Sequence, residues 1–248
     1  MKTFRIIICI ILFSSIMVII LFGLKPFKNT LDSEITLMKE LDQYPTTSYR
    51  LPDGTYLVSV RTSMPEVKAS MVRWWFADFI KTSEHYKLWH PKDHVWMDWE
   101  SKEQGKIVGA SHLVHEYIGE NLRKLRIQFV DSSEFFGHNI NNKDTFAICA
   151  RVGELERDLN IAKMCHVVIN TKTGAEMRSR FWMGHITKRD RNKVVSSILG
   201  YIGNTALIRM IYINKKGAED LKKHAKEEMK FLGEILPDLY RSQKVEYK

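Results

Sequence analysis

GAEDLKKHAKEEMKFLGEILPDLYR, residues 217–241, predicts a long amphipathic helix near the C-terminal end of the chain. At about 100° per residue, one face of this helix collects apolar side chains and the opposite face collects lysines and acids. A continuous apolar stripe of this length packs against a core, so the segment determines the architecture. The apolar face consists of Leu221, Ala225, Met229, Leu232, Ile235, Leu236 and Leu239.

Two polar residues break this partition, because His224 and Glu228 also fall on the apolar face. A buried carboxylate costs several kcal/mol unless it is paired, neutralised or bound to a metal. The two residues are four positions apart, so their side chains can converge on one ion. The pattern is equally compatible with a buried His–Glu hydrogen bond or with a helix face that lines a solvated groove.

Strand patterns fill the middle of the chain. AKMCHVVINT (162–171) and EMRSRFWMGHI (176–186) flank the turn TKTG and predict a hairpin. PEVKASMVRWWFADFI (65–80) predicts a helix opened by Pro65, and the region after Lys188 is again helical. Strands between helices at both ends predict an α+β domain, in which the terminal helix covers an antiparallel sheet.

The N-terminal stretch IIICIILFSSIMVIILFGL, residues 6–24, contains no charged residue and is flanked by basic residues. This length is about what is needed to cross a hydrocarbon core of roughly 30 Å. No small-residue cleavage site of a signal peptide follows it. We therefore predict a single-pass membrane anchor over residues 1–28, a connector over residues 29–50 and a folded domain over residues 51–248.

Composition narrows the function classes. The formal charge of +9 permits an anionic partner, but the basic residues are scattered among acids and no nucleic-acid motif is present, so no nucleic-acid partner is predicted. Cys149 and Cys165 lie in apolar runs without metal-binding spacing. Buried thiols are expected there, with a single bridge between neighbouring strands left open. The oligomeric state is also left open.

The segment EHYKLWHPKDHVWMDWE (84–100) concentrates titratable and indole side chains. Pro91 places His90 at a boundary, since the residue before a proline is disfavoured in a helix. His90, Asp93 and His94 are candidate metal ligands. In SHLVHEYIG (111–119), alternation places Glu116 on a mostly apolar face. Two histidines and two carboxylates suit zinc with an exchangeable water, and would also accept manganese or ferrous iron.

Several ordered motifs resemble the 2,4-diacetylphloroglucinol hydrolase family over about residues 50–240. They are MVRWWFADFIKTSEHYKLWHPKDHVWMDWE (71–100), HEYIG (115–119), EMRSRFWMG (176–184) and the terminal H-x-x-x-E (224–228). The resemblance implies a helix-grip, Bet v 1-like fold with a curved antiparallel sheet around the C-terminal helix. It also implies a zinc-dependent hydrolase that cleaves the carbon–carbon bond between an acyl group and a phenolic ring, with a small phenolic ketone as substrate and a short carboxylic acid as product.

The resemblance also implies residue roles. A catalytic histidine corresponds to His166, although a structural core histidine is an alternative there. The sequence FWMG (181–184) offers no tyrosine to assist the substrate, so Tyr86 and Tyr117 are the candidates. Glu120 is an alternative to Glu116 as a metal ligand. The implied zinc ligands are His90, Glu116, His224 and Glu228. A membrane-anchored binding module for an apolar ligand, with a structural metal or none, is the alternative function.

Overall fold

The structure is a computed structural model that describes residues 44–246. Among these residues, no helix combines the length and the apolar character needed to cross a membrane. This finding contradicts the predicted single-pass membrane localisation, which we withdraw. The predicted anchor over residues 1–28 lies outside the described residues.

One antiparallel sheet of nine strands forms the frame of the described domain. Its order is β1-β2-β8-β7-β6-β5-β4-β3, and β9 pairs with β8. The strands are β1 (Thr47–Arg50), β2 (Tyr56–Pro65), β3 (His94–Glu100), β4 (Ser111–Ile118), β5 (Asn121–Val130), β6 (Thr145–Glu154), β7 (Leu159–Asn170), β8 (Gly174–Asp190) and β9 (Lys193–Val195).

Helices occupy three places around this sheet. Two lie between β2 and β3, one short helix precedes β6, and three follow β9. The helices are α1 (Ala69–Trp74), which continues into a π-helical turn (Trp75–Phe79), α2 (Ser83–Trp89), α3 (Ser133–Phe136), α4 (Ile198–Gly203), α5 (Ala206–Tyr212) and α6 (Lys215–Glu246).

The main core lies between the sheet and α6. Met229, Leu232 and Leu236 of α6 are fully buried, as the amphipathic pattern predicts. The helix contacts both β2 and β4, which are far apart in the strand order, so the sheet curves around it. The predicted α+β architecture, an antiparallel sheet that grips a long C-terminal helix, is confirmed.

The first helix starts later than predicted. β2 continues through Pro65, which pairs with Gly174 of β8, and α1 begins only at Ala69. A proline is tolerated at the end of a strand, where its missing N–H costs little. Pairing with β8 therefore prevails over the helix-opening preference of Pro65. The hairpin of β7 and β8 is confirmed, and β1 lies within the stretch predicted as a connector.

A second, smaller core lies on the outer face of the sheet. Cys149 and Cys165 are directly opposite each other on β6 and β7 and are fully buried there. They are free thiols whose Sγ atoms lie 2.8 Å apart. Tyr44 and Trp182 belong to the same cluster. This outer core buries the cysteines on the face of the sheet opposite His166, so they take no part in the site described next.

Candidate metal centre

Four side chains meet between the sheet and α6: His94, Glu116, His224 and Glu228, called here the inner cluster. His94 and Glu116 are direct neighbours across β3 and β4. His224 and Glu228 come from successive turns of α6, where they break its apolar face. All four residues are buried, with at most 7% of their surface exposed. Strand pairing and helical spacing thus bring two imidazoles and two carboxylates together away from water.

The orientation of His94 leaves one ring nitrogen for a ligand. Its Nδ1 lies 2.9 Å from the carbonyl oxygen of Tyr86, to which only a protonated nitrogen can donate. The proton therefore resides on Nδ1 in the neutral ring, and Nε2 keeps its lone pair. This Nε2 is buried without a hydrogen-bond partner among the described residues. A second hydrogen bond of this kind is typical of metal-binding histidines.

His224 is oriented in the same way by a carboxylate. Its Nδ1 lies 3.1 Å from Oδ2 of Asp93, while its Nε2 has no hydrogen-bond partner in the described part of the chain. Burial lowers the pKa of His224, but the hydrogen bond to Asp93 and the charges of Glu228 and Glu116 outweigh it and raise the pKa to about 9. The surroundings of this ring therefore favour positive charge.

The spacing of the inner cluster fits a metal ion. The Nε2 atoms of His94 and His224 lie 3.7 and 3.8 Å from Oε2 of Glu228. These distances are too long for hydrogen bonds. They are close to the roughly 3.4 Å that separates ligand atoms around tetrahedral zinc with bonds of about 2.1 Å. Ligand atoms of His94, Glu116 and His224 also lie within 4.8 Å of one another.

Buried carboxylates add to this preference for a cation. Asp93, Glu116 and Glu228 are each 7% exposed and lie around the same two imidazoles. Burial raises the pKa of Glu228, and the charges of His224, His166 and His90 lower it only in part. Burial lowers the pKa of His94 to about 4, so this ring is neutral and available as a ligand near pH 7.

His90, predicted as a ligand, lies at the edge of this arrangement. Its Nδ1 accepts a hydrogen bond from the backbone N–H of Asp93 at 3.1 Å. The neutral ring must then carry its proton on Nε2, which lies 3.5 Å from Oδ2 of Asp93. A protonated nitrogen cannot bind a metal. His90, Asp93 and His224 form a second group with ligand spacing. Nε2 of His90 is also buried without a hydrogen-bond partner in residues 44–246, so His90 as a ligand stays a prediction.

Tyr86 supports the inner cluster from α2. Its hydroxyl donates a short hydrogen bond to Oε2 of Glu116, and its ring stacks on His94 with centroids 3.7 Å apart. Burial and the neighbouring Glu116 raise the pKa of Tyr86 well above its ordinary value. The hydroxyl therefore keeps its proton and fixes the direction of the carboxylate.

The structure separates the other predicted site residues. His166 is buried on β7, where its Nδ1 lies 2.8 Å from Oγ of Ser179, and the charge of Glu228 influences its pKa. It thus borders the inner cluster. Tyr117 points to the opposite side of β4 and is 39% exposed, so it does not border the inner cluster, and its catalytic role stays a prediction. Glu120, the alternative to Glu116, is exposed in the turn after β4 and is not part of the inner cluster.

One interior histidine has no predicted role. His112 of β4 is buried, stacks on Trp99 and has an Nε2 without a hydrogen-bond partner in residues 44–246. Burial, followed by the charge of His94, lowers its pKa to about 3. The sequence did contain a signal for this interior position. Strand alternation places the side chain of His112 on the same face of β4 as that of Glu116.

A cavity of about 730 Å³ lies apart from the inner cluster. It opens between α1 and the loops around residues 105–108 and 139–143, and no residue of the inner cluster lines it. Phe129 contributes to its wall and packs against Trp99, which stacks on His112. Packed aromatic side chains therefore lie between the cavity and His112.

Fold and site together define a helix-grip protein with a buried cluster of two histidines and two glutamates, three of which have the spacing of metal ligands. The chain belongs to the DAPG hydrolase PhiG domain family, whose model matches residues 32–241. The predicted membership of this hydrolase family is thereby confirmed.

Two curated relatives carry the name 2,4-diacetylphloroglucinol hydrolase. One is from Pseudomonas protegens and the other from a Pseudomonas species. Each is 26% identical over 212 residues, which is 77% of this chain. The chain spans about two thirds of the length of these relatives, 66% and 69% respectively.

Solved structures show more distant similarity. The ginseng major latex-like protein 151 from Panax ginseng has a TM-score of 0.37 and 15% identity, over 68% of this chain and 97% of that protein. Ara h 8.0201 has a TM-score of 0.44 and 8% identity, over 73% of this chain and 97% of that protein.

Proposed function

We propose that this protein is a zinc-dependent hydrolase of acylphloroglucinol-type ketones. It cleaves the bond between the acyl carbon and the phenolic ring and releases a short carboxylic acid. Family membership and the name of the two Pseudomonas relatives support the substrate class. The observation that carries the proposal is the pair of buried Nε2 atoms, on His94 and His224, that face Glu228 at 3.7 and 3.8 Å.

The proposed ligands are His94, Glu116, His224 and Glu228, with His94 in place of the predicted His90. When bound, the zinc ion would act as a Lewis acid toward the acyl carbonyl and would lower the pKa of a water molecule. Two carboxylate ligands reduce its positive charge, so a substrate with a good carbanion leaving group suits the site. A phloroglucinol ring is such a group, because its ortho and para hydroxyls delocalise the negative charge.

The residues around the inner cluster hold its ligands in place. The carbonyl of Tyr86 orients His94, and the carboxylate of Asp93 orients His224. The hydroxyl of Tyr86 donates a hydrogen bond to Glu116. We therefore assign to this tyrosine the role of positioning a ligand. These partners also exclude water from the ligand atoms, because all of them are buried.

His166 is the proposed proton carrier. Burial lowers its pKa, so its ring is neutral near pH 7 and can accept a proton. Water adds its oxygen to the acyl carbon and its proton passes to His166. The carbon–carbon bond then breaks, the electron pair stays on the ring carbon, and His166 returns the proton to that carbon. Ketone and water thus become a carboxylic acid and the deacylated phenol.

Product analysis tests the proposal. Purified protein supplied with zinc is incubated with 2,4-diacetylphloroglucinol, and mass spectrometry follows the formation of monoacetylphloroglucinol and acetate. We expect the two products in equal amounts, loss of both in Glu228→Gln, and retention in Glu120→Gln, which alters an exposed glutamate. If zinc-loaded protein releases no acid from any acylphloroglucinol offered, the stated reaction is wrong and a binding module becomes the better description.

A further inference from the structure

The cavity between α1 and the loops around residues 105–108 and 139–143, called here the α1 cavity, has no role in the proposed reaction. Its volume of about 730 Å³ lies within the range of about 300–1,000 Å³ that is typical of small-molecule sites. Such sites combine apolar walls with a few polar groups. The α1 cavity has both, with a floor from the main core and a polar rim.

The floor of the α1 cavity is apolar and contains two aromatic rings. Phe129 on β5 is 2% exposed. Phe146 and Ile148 are two positions apart on β6, so their side chains point to the same face of the sheet as that of Phe129. Ala69 of α1 and Ile107 complete the floor. A flat apolar ligand would therefore make aromatic contacts there.

The rim of the α1 cavity is cationic. Arg73 from α1 and the loop residues Lys106 and Lys143 line it and are exposed. No Asp or Glu is among the described residues that line the cavity. A cleft lined by charge of one sign raises the local concentration of counter-ions. The rim therefore favours an anionic ligand.

Nearby acids compensate these cations only in part. Glu103 lies 2.5 Å from Lys106, and Asp144 lies 4.0 Å from Lys143. All four side chains are more than half exposed, and exposed ion pairs of this kind are weak. Arg73 forms no ion pair within residues 44–246. Its guanidinium is thus available to a ligand.

Hydrogen bonds fix the walls of the α1 cavity. Oδ1 of Asn141 accepts from the backbone N–H of Ala147 on β6 at 2.7 Å. On the other side, Nζ of Lys102 and the backbone N–H of Gly105 donate to the carbonyl oxygen of Ala77, at 2.6 and 3.3 Å. Each loop is therefore tied to its neighbouring strand or helix. The cavity is formed without a ligand, as is usual for small-molecule sites.

We propose that the α1 cavity binds an aromatic organic anion. Its ring would pack on Phe129 and Phe146, and its acidic group would pair with Arg73. A guanidinium suits a carboxylate because it can donate two parallel hydrogen bonds to it. A small inorganic anion would leave the apolar floor in contact with water, and a neutral ring would leave the cations unpaired. No residue of the inner cluster lines this cavity, so the site does not depend on the proposed function.

Titration with anilinonaphthalene sulfonate, an aromatic anion that fluoresces in apolar surroundings, tests the charge requirement. Arg73→Glu and Lys143→Glu should each raise its dissociation constant about tenfold, because reversal of a nearby charge turns attraction into repulsion. The matched control is Lys193→Glu on β9, an exposed cation outside the cavity, which should change the constant less than about twofold. Equal affinity of the wild type and both cavity variants contradicts the proposal.

Thiol protection locates the bound probe. In a Cys9→Ser background, Val108→Cys places a thiol at the rim of the cavity, where Val108 is 56% exposed. Leu122→Cys places one outside the cavity, where Leu122 is 44% exposed. Saturating sulfonate should slow alkylation of the Val108→Cys thiol by iodoacetamide and leave the Leu122→Cys thiol unaffected. Equal rates with and without probe at the Val108→Cys thiol overturn the proposal. Circular dichroism spectra verify that all variants are folded.

Competition distinguishes two sources of the anion. Naphthoate and 2,4-diacetylphloroglucinol are added in turn to the sulfonate complex of Glu228→Gln protein, which should not consume the ketone. Displacement by both compounds includes the ionised phenol of the substrate class, and displacement by naphthoate alone assigns the site to aromatic carboxylates. Displacement by neither contradicts the proposal. The binding assay needs no turnover, so its failure leaves the proposed hydrolysis standing, and failed hydrolysis leaves this site standing.

Discussion

Helix α6 and the α4–α5 segment break the usual partition of side chains in opposite directions. On α6, His224 and Glu228 are polar residues that point into the core. On α4 and α5, residues such as Ile198 and Ile211 are apolar and point into solvent. The first arrangement is costly unless an ion or a proton compensates the buried charges. The second is costly unless another surface covers the apolar side chains. Each exception to the usual partition therefore indicates what kind of partner the region needs: a cation for the buried carboxylates, and an apolar surface for the exposed apolar side chains.

The two regions also differ in how they are supported. The inner cluster depends on residues from separate elements, since Asp93 and Tyr86 hold its histidines from the β3 side. The α4–α5 segment depends mainly on Arg209, whose guanidinium bonds to three different residues. Loss of a support should thus affect chemistry in the first region and stability in the second.

The largest expected effect concerns the identity of the first histidine ligand. His94→Ala should lower metal affinity and the rate of acylphloroglucinol cleavage about a thousandfold, since a Lewis acid contributes several kcal/mol to such a reaction. His90→Ala should retain one equivalent of metal and most of the activity, because its Nε2 carries a proton in the neutral ring. Metal analysis and kcat/KM measured on both variants decide between the two histidines.

Arg209→Ala should produce the next largest effect, on stability alone. The substitution leaves Asp53, Asn204 and the carbonyl of Gly184 without their donor, at a cost of about 3 kcal/mol. Chemical denaturation of zinc-loaded protein measures this loss. Lys193→Ala, an exposed change on β9, should alter stability by less than about 0.5 kcal/mol. Equal stability of the Arg209→Ala variant and the wild type would contradict the proposed anchoring.

Asp93→Asn should have a moderate effect on the inner cluster. The amide keeps an acceptor for Nδ1 of His224 but removes the negative charge. Loss of such a hydrogen-bonded partner typically lowers metal affinity 10–100-fold. Competition with a zinc chelator measures the affinity, and Asp98→Asn on the exposed side of β3 is the matched control. Unchanged affinity in Asp93→Asn would show that this carboxylate does not orient His224.

The smallest expected effect is a change in the pH dependence of stability. The pKa of His112 is lowered to about 3 by burial and by His94, so the folded chain keeps this ring neutral at pH 5. The unfolded chain binds a proton below about pH 6.5. Stability therefore falls as pH decreases below 6.5, by about 1.4 kcal/mol per pH unit for this group. This contribution is fully present above that pH.

Replacement of His112 tests this contribution. His112→Phe retains an aromatic ring against Trp99 and should reduce the slope of unfolding free energy between pH 6 and pH 5 by about 1.4 kcal/mol per unit. Denaturant titrations at both pH values measure it. Ile127→Val, which alters the residue opposite His112 on β5, should lower stability without changing the slope. An unchanged slope in His112→Phe would contradict the assignment.

Local sequence patterns predicted much of the inner cluster. Helical spacing selected His224 and Glu228, and strand alternation selected Glu116, because both signals depend only on nearby residues. His94 was one of three candidates in its segment, and the family resemblance selected His90, which stays a prediction. The register of β3 against β4 shifts between His94 and Trp96, so alternation along β3 does not indicate the direction of His94. Only the pairing with Glu116, a contact distant in sequence, reveals it.

The orientation of α4 and α5 was not predictable in the same way. The apolar residues of this region indicated helices. From the local sequence alone, helices rich in apolar residues are expected to be buried. Arg209 reverses this expectation, because its partners come from β8 and from the loop that holds Asp53. Such partners are unknown until the strands are assembled. The α+β class and the long terminal helix were predictable, since strand and helix periodicities are local.

The most direct test of the inner cluster is a crystal structure of the zinc-loaded protein with anomalous data collected on both sides of the zinc absorption edge. Our account predicts one strong anomalous peak, in contact with His94, Glu116, His224 and Glu228. A peak bound instead by His90 and Asp93, or no peak in protein that was loaded with zinc, would contradict it.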